Sequence, residues 1–307
     1  MTSINTNRAA MTALESLNAT AAKLESTQQR ISTGMRVATA TDNAAYWSIA
    51  TTMRSDNSSL STVKDALGLG AATVDVTYTA LNNEIQTVQH IKDKLVAAAQ
   101  PGVDRSKIQS EISQLQSQLK SVADSSVFSG ENWLSVDSAA PGYNSTKSMV
   151  SSFTRGAGGV SVQTIDFNGD SSKLFDSANQ SGILDKTDTT VHGLVTYSIA
   201  TLDISALTTS PNDTQDLDQM MKWVDSGLSK MTSSAADLGA LKNRINSQSD
   251  FVQTLMDAIT KGVGTLVDAD MTAESTKMQA LQVQQQLGVQ SLSMANQNSQ
   301  SILALFK

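Results

Sequence analysis

The chain has 307 residues, of which 39% are apolar and only 4% aromatic, too few large side chains for a compact globule of this size but suited to long helices packed through Leu, Ile, Val, Met and Ala. Its net charge of −7, with no stripe of Lys or Arg, excludes a grip on a nucleic-acid backbone, and no apolar run is long enough to span a bilayer. Cysteine is absent, which excludes disulfides, thiolate metal sites and cysteine nucleophiles, and no secretory signal pattern opens the chain.

The N-terminal segment carries a heptad stripe of Ala10, Leu14, Leu17, Ala21, Leu24, Gln28, Ile31 and Met35, interrupted at Gly34. Residues 44–99 form one helical pattern without proline. Its seam is Leu60, Leu67, Val74, Leu81, Val88 and Leu95, each seven residues from the next, the spacing that keeps one stripe on one partner helix. Pro101-Gly102 ends it, and Asp104 is a suitable N-cap for a second helix with Ile108, Ile112, Leu115, Leu119 and Val122 on one face. This second helix is expected to return antiparallel on the first.

Residues 135–211 change character. Gly, Ser, Asn, Asp and Thr rise, and β-like runs occur at 149–153, 160–167 and 191–199, with turn signals at 156–159 and at Asn168-Gly169. A small, surface-exposed β-rich insert is expected. Pro211 and Asp213 then open a second long seam of Leu217, Val224, Met231, Leu238, Ile245, Val252, Ile259 and Leu266. Gly262 and Gly264 fall within its pattern, each costing about 1 kcal/mol relative to Ala, and are expected to mark a joint between two rods. Beyond Lys277 no charged residue occurs until Lys307, while Leu281, Leu287, Leu292, Ile302, Leu305 and Phe306 point several ways around a helix. A helix apolar on many sides is normally enclosed by protein. One copy has nothing left to enclose it, so other copies are expected to.

The inventory for catalysis is nearly empty. His90 and His192 are the only histidines, and neither has a ligand-type partner at helical spacing. The glycines at 156, 158 and 159 are followed by no Lys-Ser/Thr pair and no helix start, and the 262–264 pair follows no strand, so neither is a phosphate or dinucleotide loop. Asp268, Asp270 and Glu274 offer too few oxygen ligands for a cation and suit the acidic first turn of a helix. No nucleophile–base or metal constellation is present, so no enzyme and no cofactor is expected.

The two ends carry a further pattern. Ser3-Ile4-Asn5-Thr6-Asn7 is followed by Gln29-Arg30-Ile31-Ser32-Thr33-Gly34, Asp42-Asn43-Ala44-Ala45, Ile108-Gln109-Ser110-Glu111-Ile112 and Phe128-Ser129-Gly130. Near the other end stand Leu238-Gly239-Ala240-Leu241-Lys242-Asn243-Arg244, Asp268-Ala269-Asp270-Met271-Thr272-Ala273-Glu274 and Ala295-Asn296-Gln297. In this order and spacing they resemble the bacterial flagellins over residues 3–134 and 212–307. The resemblance implies a mainly α fold, a long antiparallel helical coiled coil and bundle formed by paired N- and C-terminal regions with the small β-rich central insert. Residues 1–43 with 263–307 would form an inner filament-core coiled coil, 44–134 with 212–262 an outer helical bundle, and 135–211 the exposed insert. It also implies a secreted subunit of the extracellular filament that polymerises with copies of itself. Such a chain is exported unfolded by the flagellar type III system, held at its C-terminal segment by an export chaperone, and assembled with cap and junction proteins. Ile4, Leu14, Leu17, Leu24, Ile31, Leu281, Leu287, Leu292, Ile302, Leu305 and Phe306 would form the polymerisation interface. The nearest alternative is a hook–filament junction protein, which shares the terminal helices.

Two departures stand out. Tyr46-Trp47 replaces the Gly-Leu common after the paired alanines, which resembles rhizobial flagellins. Adjacent aromatics must face different ways, either into the subunit or, as interface anchors, toward a neighbour. On the first long helix, the run recognised by the vertebrate flagellin receptor reads Val88-Gln89-His90-Ile91-Lys92-Asp93-Lys94 here. Gln89 and Glu111 match the family's contact residues, but His90 stands for an arginine and Lys94 for an apolar side chain. His90 lacks the planar five-donor fork of arginine. Weak or no receptor activation is expected.

Overall fold

The computed structural model describes residues 6–156 and 158–304, with side chains described as far as 297. Five helices dominate: α1 (Arg8–Thr33), α2 (Ala44–Ala98), α3 (Arg105–Ser125), α4 (Pro211–Val267) and α5 (Met271–Ala304). The chain divides into two compact units, residues 1–58 with 256–307, and residues 59–255.

In the middle unit the heptads behave as their spacing dictates. Leu60, Leu67, Val74, Leu81, Val88 and Leu95 of α2 are all buried, as are Ile112 and Leu119 of α3 and Leu217, Val224, Met231, Leu238, Ile245 and Val252 of α4. Helix ends are fixed locally. Gly102, at φ +85°, turns the chain after α2, and the Asp104 carboxylate caps α3 by accepting from the backbone of Ser106 and Lys107. Ser210 caps α4 through its hydroxyl, which accepts from Asp213 N, and Pro211 supplies the preset first residue. The buried Arg105 ties the α2–α3 corner together: its Nε donates to Ala98 O at 3.0 Å and its Nη1 to Thr208 O.

Among the described residues eight strands, paired in four two-stranded sheets, lie between α3 and α4. They are β1 (Val127–Phe128), β2 (Glu131–Asn132), β3 (Ser135–Val136), β4 (Thr146–Gly156), β5 (Gly159–Asn168), β6 (Phe175–Asp176), β7 (Asp188–Thr189) and β8 (Thr196–Tyr197). β4 and β5 form the expected hairpin, Thr146 opposite Asn168 and Gly156 opposite Gly159, with a register shift between Val150 and Ser152. Asn168-Gly169 does not close a hairpin; Asn168 instead caps a 3₁₀ turn, Gly169–Ser171. The run 191–199 is not one strand. Its first half is the loop joining β7 to β8, and only Thr196-Tyr197 pair.

The insert is also less superficial than its composition implies. Ile165, Leu174, Leu184, Tyr197, Ile199, Leu202 and Ile204 are buried, as are Trp133 and Leu134 just ahead of it. Trp133 stacks on Phe167 with ring centroids 5.7 Å apart. Gln109 and Gln116 of α3 hold the 199–204 segment from one side: Gln109 Nε2 donates to Leu202 O, Gln109 Oε1 accepts from Ile204 N, and Gln116 Nε2 donates to Ile199 O. Gly227 of α4 leaves room on the other side, since a Cβ there would lie 2.3 Å from Ile199 Cδ1.

In the terminal unit, Gly34 at φ +70° ends α1, and its N–H donates to Arg30 O. Residues 35–37 then run against the end of α4. Arg36 N and Val37 N donate to Val267 O, Ala269 N donates to Gly34 O, and Met35 bridges Asp268. Val37, Ala50, Val263 and Val267 form a small core there, joined by Met53, Ile259 and Leu266. The break expected at Gly262–Gly264 is therefore displaced: α4 continues to Val267 and the interruption falls at residues 268–270. The glycines provide space instead, because a Cβ on Gly264 would lie 2.7 Å from Asp268 Oδ2.

Candidate assembly surface

The terminal helices α1 and α5 pack antiparallel along one seam. Asn7 marks one end: its Oδ1 caps α1 by accepting from Ala10 N, and its Nδ2 donates to Ala295 O at 2.9 Å. Arg30 marks the other, with Nη1 3.1 Å from Glu274 Oε1. The acidic run 268–274 serves helix geometry as expected: Asp270 Oδ1 accepts from Thr272 N and Ala273 N, capping α5, and Glu274 sits in the first turn.

The seam selects different residues from those the stripe implied. Ala10, Ala13, Leu17, Thr20, Leu24, Thr27 and Ile31 are buried or half-buried, whereas Leu14, Ala21 and Gln28 are exposed. Small side chains let the two helices approach closely. A Cβ on Gly288 would lie 3.1 Å from Leu17 Cδ1, and Thr27 is 1% exposed.

The expected interface residues thus fall into two groups. Leu17, Leu24, Ile31, Leu281 and Leu292 lie in the seam within one chain. Leu14 and Leu287 point away from it, together with Met11, Val283, Val289 and Met294, all exposed. Sequence reasoning did not separate the two groups, because heptad spacing marks an apolar stripe without telling which partner covers it. Ile4, Leu305 and Phe306 lie outside the described residues, as does the side chain of Ile302.

Next to this surface, Asp42 closes the loop that leads into α2. Its Oδ2 accepts from Ala38 N, Thr39 N and Thr39 Oγ1, and the backbone bond from Thr39 leads the effects that hold its carboxyl below the usual range. Asn43 Oδ1 accepts from Tyr46 N and caps the helix. Tyr46 and Trp47 are both exposed on the first turn of α2, with Ile49 exposed beside them.

In the middle unit Gln89 and His90 are exposed on α2. Lys94 Nζ lies 2.5 Å from Glu111 Oε2 on α3, and neighbouring Lys92 pairs with Asp225 of α4. Among the described residues no group of three or more His, Asp or Glu side chains is placed to hold a metal ion, and no helix is long and apolar enough to cross a membrane.

Comparison with known proteins agrees with this architecture at both ends. The family described as the bacterial flagellin N-terminal helical region matches residues 4–139, and the bacterial flagellin C-terminal helical region matches residues 221–306. Flagellin C of Rhizobium meliloti (strain 1021) is 51% identical, with all of both chains covered. Flagellin A of Rhizobium meliloti is 42% identical and the flagellin of Brucella melitensis biotype 1 is also 42% identical, each again over the whole of both chains. A solved structure described as a flagellar hook-associated protein from Vibrio parahaemolyticus is similar in fold, with TM-score 0.51 and 14% identity over 74% of this chain and 100% of the other.

Proposed function

Because the chain belongs to the bacterial flagellins, the extracellular structural subunits that polymerise into the flagellar filament, we propose that its own fold completes only one face of each terminal helix and that neighbouring copies complete the rest. The observation that carries this reading is that Met11 and Leu14 of α1 and Val283, Leu287, Val289 and Met294 of α5 stay exposed although the α1–α5 seam is already formed. Apolar side chains exposed in this number, four of them on a helix that has no charge between Lys277 and Lys307, mark a protein-binding surface. A head-to-tail contact that does not close into a ring produces an open helical polymer.

On this reading residues 1–43 with 263–307 form the inner coiled coil of the filament. Residues 44–134 with 212–262 surround it, and 135–211 face outward. The C-terminal segment, chargeless and apolar, is where an export chaperone holds the chain before type III secretion, and cap and junction proteins meet the assembled ends. Tyr46 and Trp47 act as anchors between subunits, since both are exposed and such residues dominate interface energetics. The chain has a structural and not a catalytic role.

Weak or absent activation of the vertebrate flagellin receptor belongs to the same reading. Glu111 is already engaged by Lys94, and His90 offers no guanidinium. Restoring both positions, His90→Arg with Lys94→Leu, is expected to raise the response of receptor reporter cells to purified monomer; an unchanged response removes this part of the proposal. The junction-protein reading is not favoured, because full-length identity runs to flagellins and the hook-associated likeness is one of fold.

The assembly proposal is tested by seeded polymerisation watched by electron microscopy. Full-length chain forms filaments, and a chain lacking residues 1–30 keeps its helical circular dichroism but forms none. Ordinary filaments from the truncated chain overturn it.

A further inference from the structure

The most exposed apolar side chains named in either unit are not on the terminal helices. They are Leu194, 76% exposed, and Val191, 71% exposed, in the loop between β7 and β8, with Val195 exposed beside them. A loop that displays aliphatic side chains merely because it is loose would lack internal bonds. This one is built. The Asp216 carboxylate of α4, with its side chain 2% exposed, accepts from His192 N at 3.1 Å and from Gly193 N at 2.8 Å, and its Oδ1 lies 3.4 Å from His192 Nδ1. Gln219 Oε1 accepts from Val191 N while its Nε2 donates to Thr189 O. Thr190 closes the base, donating N–H to Val195 O and accepting from Val195 N at its hydroxyl.

The backbone is held out of its preferred state as well. Leu194 sits at φ +49°, a conformation that suits glycine or asparagine and costs a leucine energy. A Cβ on Gly193 would lie 3.1 Å from Asp216 Oδ2, so a larger residue would press on the carboxylate that holds the loop. A strained residue that persists under several hydrogen bonds, part-buried at Asp216 and Thr190, points to a selected role. Here a buried carboxylate fixes a loop so that it presents two aliphatic side chains to the outside.

The charge pattern says what the loop meets. From Thr189 to Leu202 the chain has no Asp, Glu, Lys or Arg, while each copy as a whole carries a net charge of −7. Like-charged copies repel wherever charged surfaces meet, so a contact between two copies is cheapest where charge has been removed. We infer that the 190–195 loop is a second self-contact, in which Val191 and Leu194 are buried against a neighbouring copy in the filament. It is separate from the terminal-helix surface and belongs to the other unit of the fold.

The chain contains no cysteine, so single cysteines report cleanly. Leu194→Cys and Val191→Cys, with Ser161→Cys on the exposed strand β5 as reference, are labelled with a maleimide as monomer and as sedimented filament. At both loop positions the labelling rate is expected to fall at least about tenfold on assembly relative to the reference, equivalent to about 1.4 kcal/mol of protection. If both loop cysteines react equally fast in monomer and filament, the loop faces solvent and the inference is overturned. Should Leu194→Cys fail to polymerise, Val191→Cys decides by the same criterion. Filaments seen by microscopy with an unprotected loop sink this inference alone, whereas an absence of filaments from the unmodified chain would sink the assembly proposal.

Discussion

The two units use the same heptad spacing to opposite ends. In the middle unit the α2 seam residues Leu60, Leu67, Val74, Leu81, Val88 and Leu95 are all buried within the chain itself. In the terminal unit the stripe splits, with Leu17 and Leu24 turned inward and Leu14 turned out, while the inward face is lined with Ala13, Thr20 and Thr27. The lesson is that periodicity fixes which residues share a face, and the number of partner helices fixes whether that face is finished. α2, α3 and α4 line one core together. Among the described residues α1 is seated along α5.

This contrast is open to direct attack. The largest effect is expected from Leu81→Ala in the finished core, which should destabilise the monomer by about 2–5 kcal/mol in chemical denaturation. A loss under about 1 kcal/mol would mean the middle seam is not packed as described.

A comparable effect, confined to high pH, is expected at Glu84, which is 1% exposed on α2, where the Ala123 backbone offsets only part of the effect of burial. Burial pushes its carboxyl from the ordinary 4.5 up to about 8. The folded chain therefore keeps a proton that the unfolded chain releases. Its contribution to stability is complete below about pH 4.5, declines as the pH climbs toward 8 and then levels off. Glu84→Gln should flatten that decline, recovering at most about 5 kcal/mol at pH 9. Identical pH profiles for the two proteins would show that Glu84 is hydrated or paired.

The smallest effect on the monomer is expected on the unfinished face. Leu14→Ser with Leu287→Ser should change monomer stability by no more than about 0.5 kcal/mol per site, as for other exposed positions. The same pair should raise the critical concentration for filament growth at least about tenfold. A monomer damaged as severely as by Leu81→Ala would erase the distinction between the units.

Much of the fold was legible in the sequence because its signals are local or periodic. Pro101-Gly102, Asp104, Pro211 and the two long seams each act through neighbouring backbone or a fixed repeat. The insert was less legible. Trp133 and Leu134 sit at the edge of a polar stretch, and their surroundings are supplied by Phe167, Leu174 and Phe175 arriving from far along the chain. The break near residue 268 was misplaced for a related reason: Gly262 and Gly264 look like helix breakers, yet α4 runs through both and Gly264 leaves room for the Asp268 carboxylate. At the candidate site, the apolar positions were found but not their direction, since Leu14 and Leu17 look alike until the partner helix is in place. The Lys94–Glu111 pair was visible only as one substitution and one matching residue, because the sequence does not state that α2 and α3 bring them to 2.5 Å.

Asn7 gives the terminal unit an unusual kind of coincidence detector. One side chain has two ends: the carbonyl closes the first turn of α1, and the amide reaches the backbone of α5 almost three hundred residues later in the chain. The rotamer that caps α1 also aims the amide at α5, because one side chain carries both ends. Starting α1 thereby positions the donor that receives α5. An aspartate here would keep the cap but turn an acceptor toward the Ala295 carbonyl, uncoupling the start of one helix from the arrival of the other.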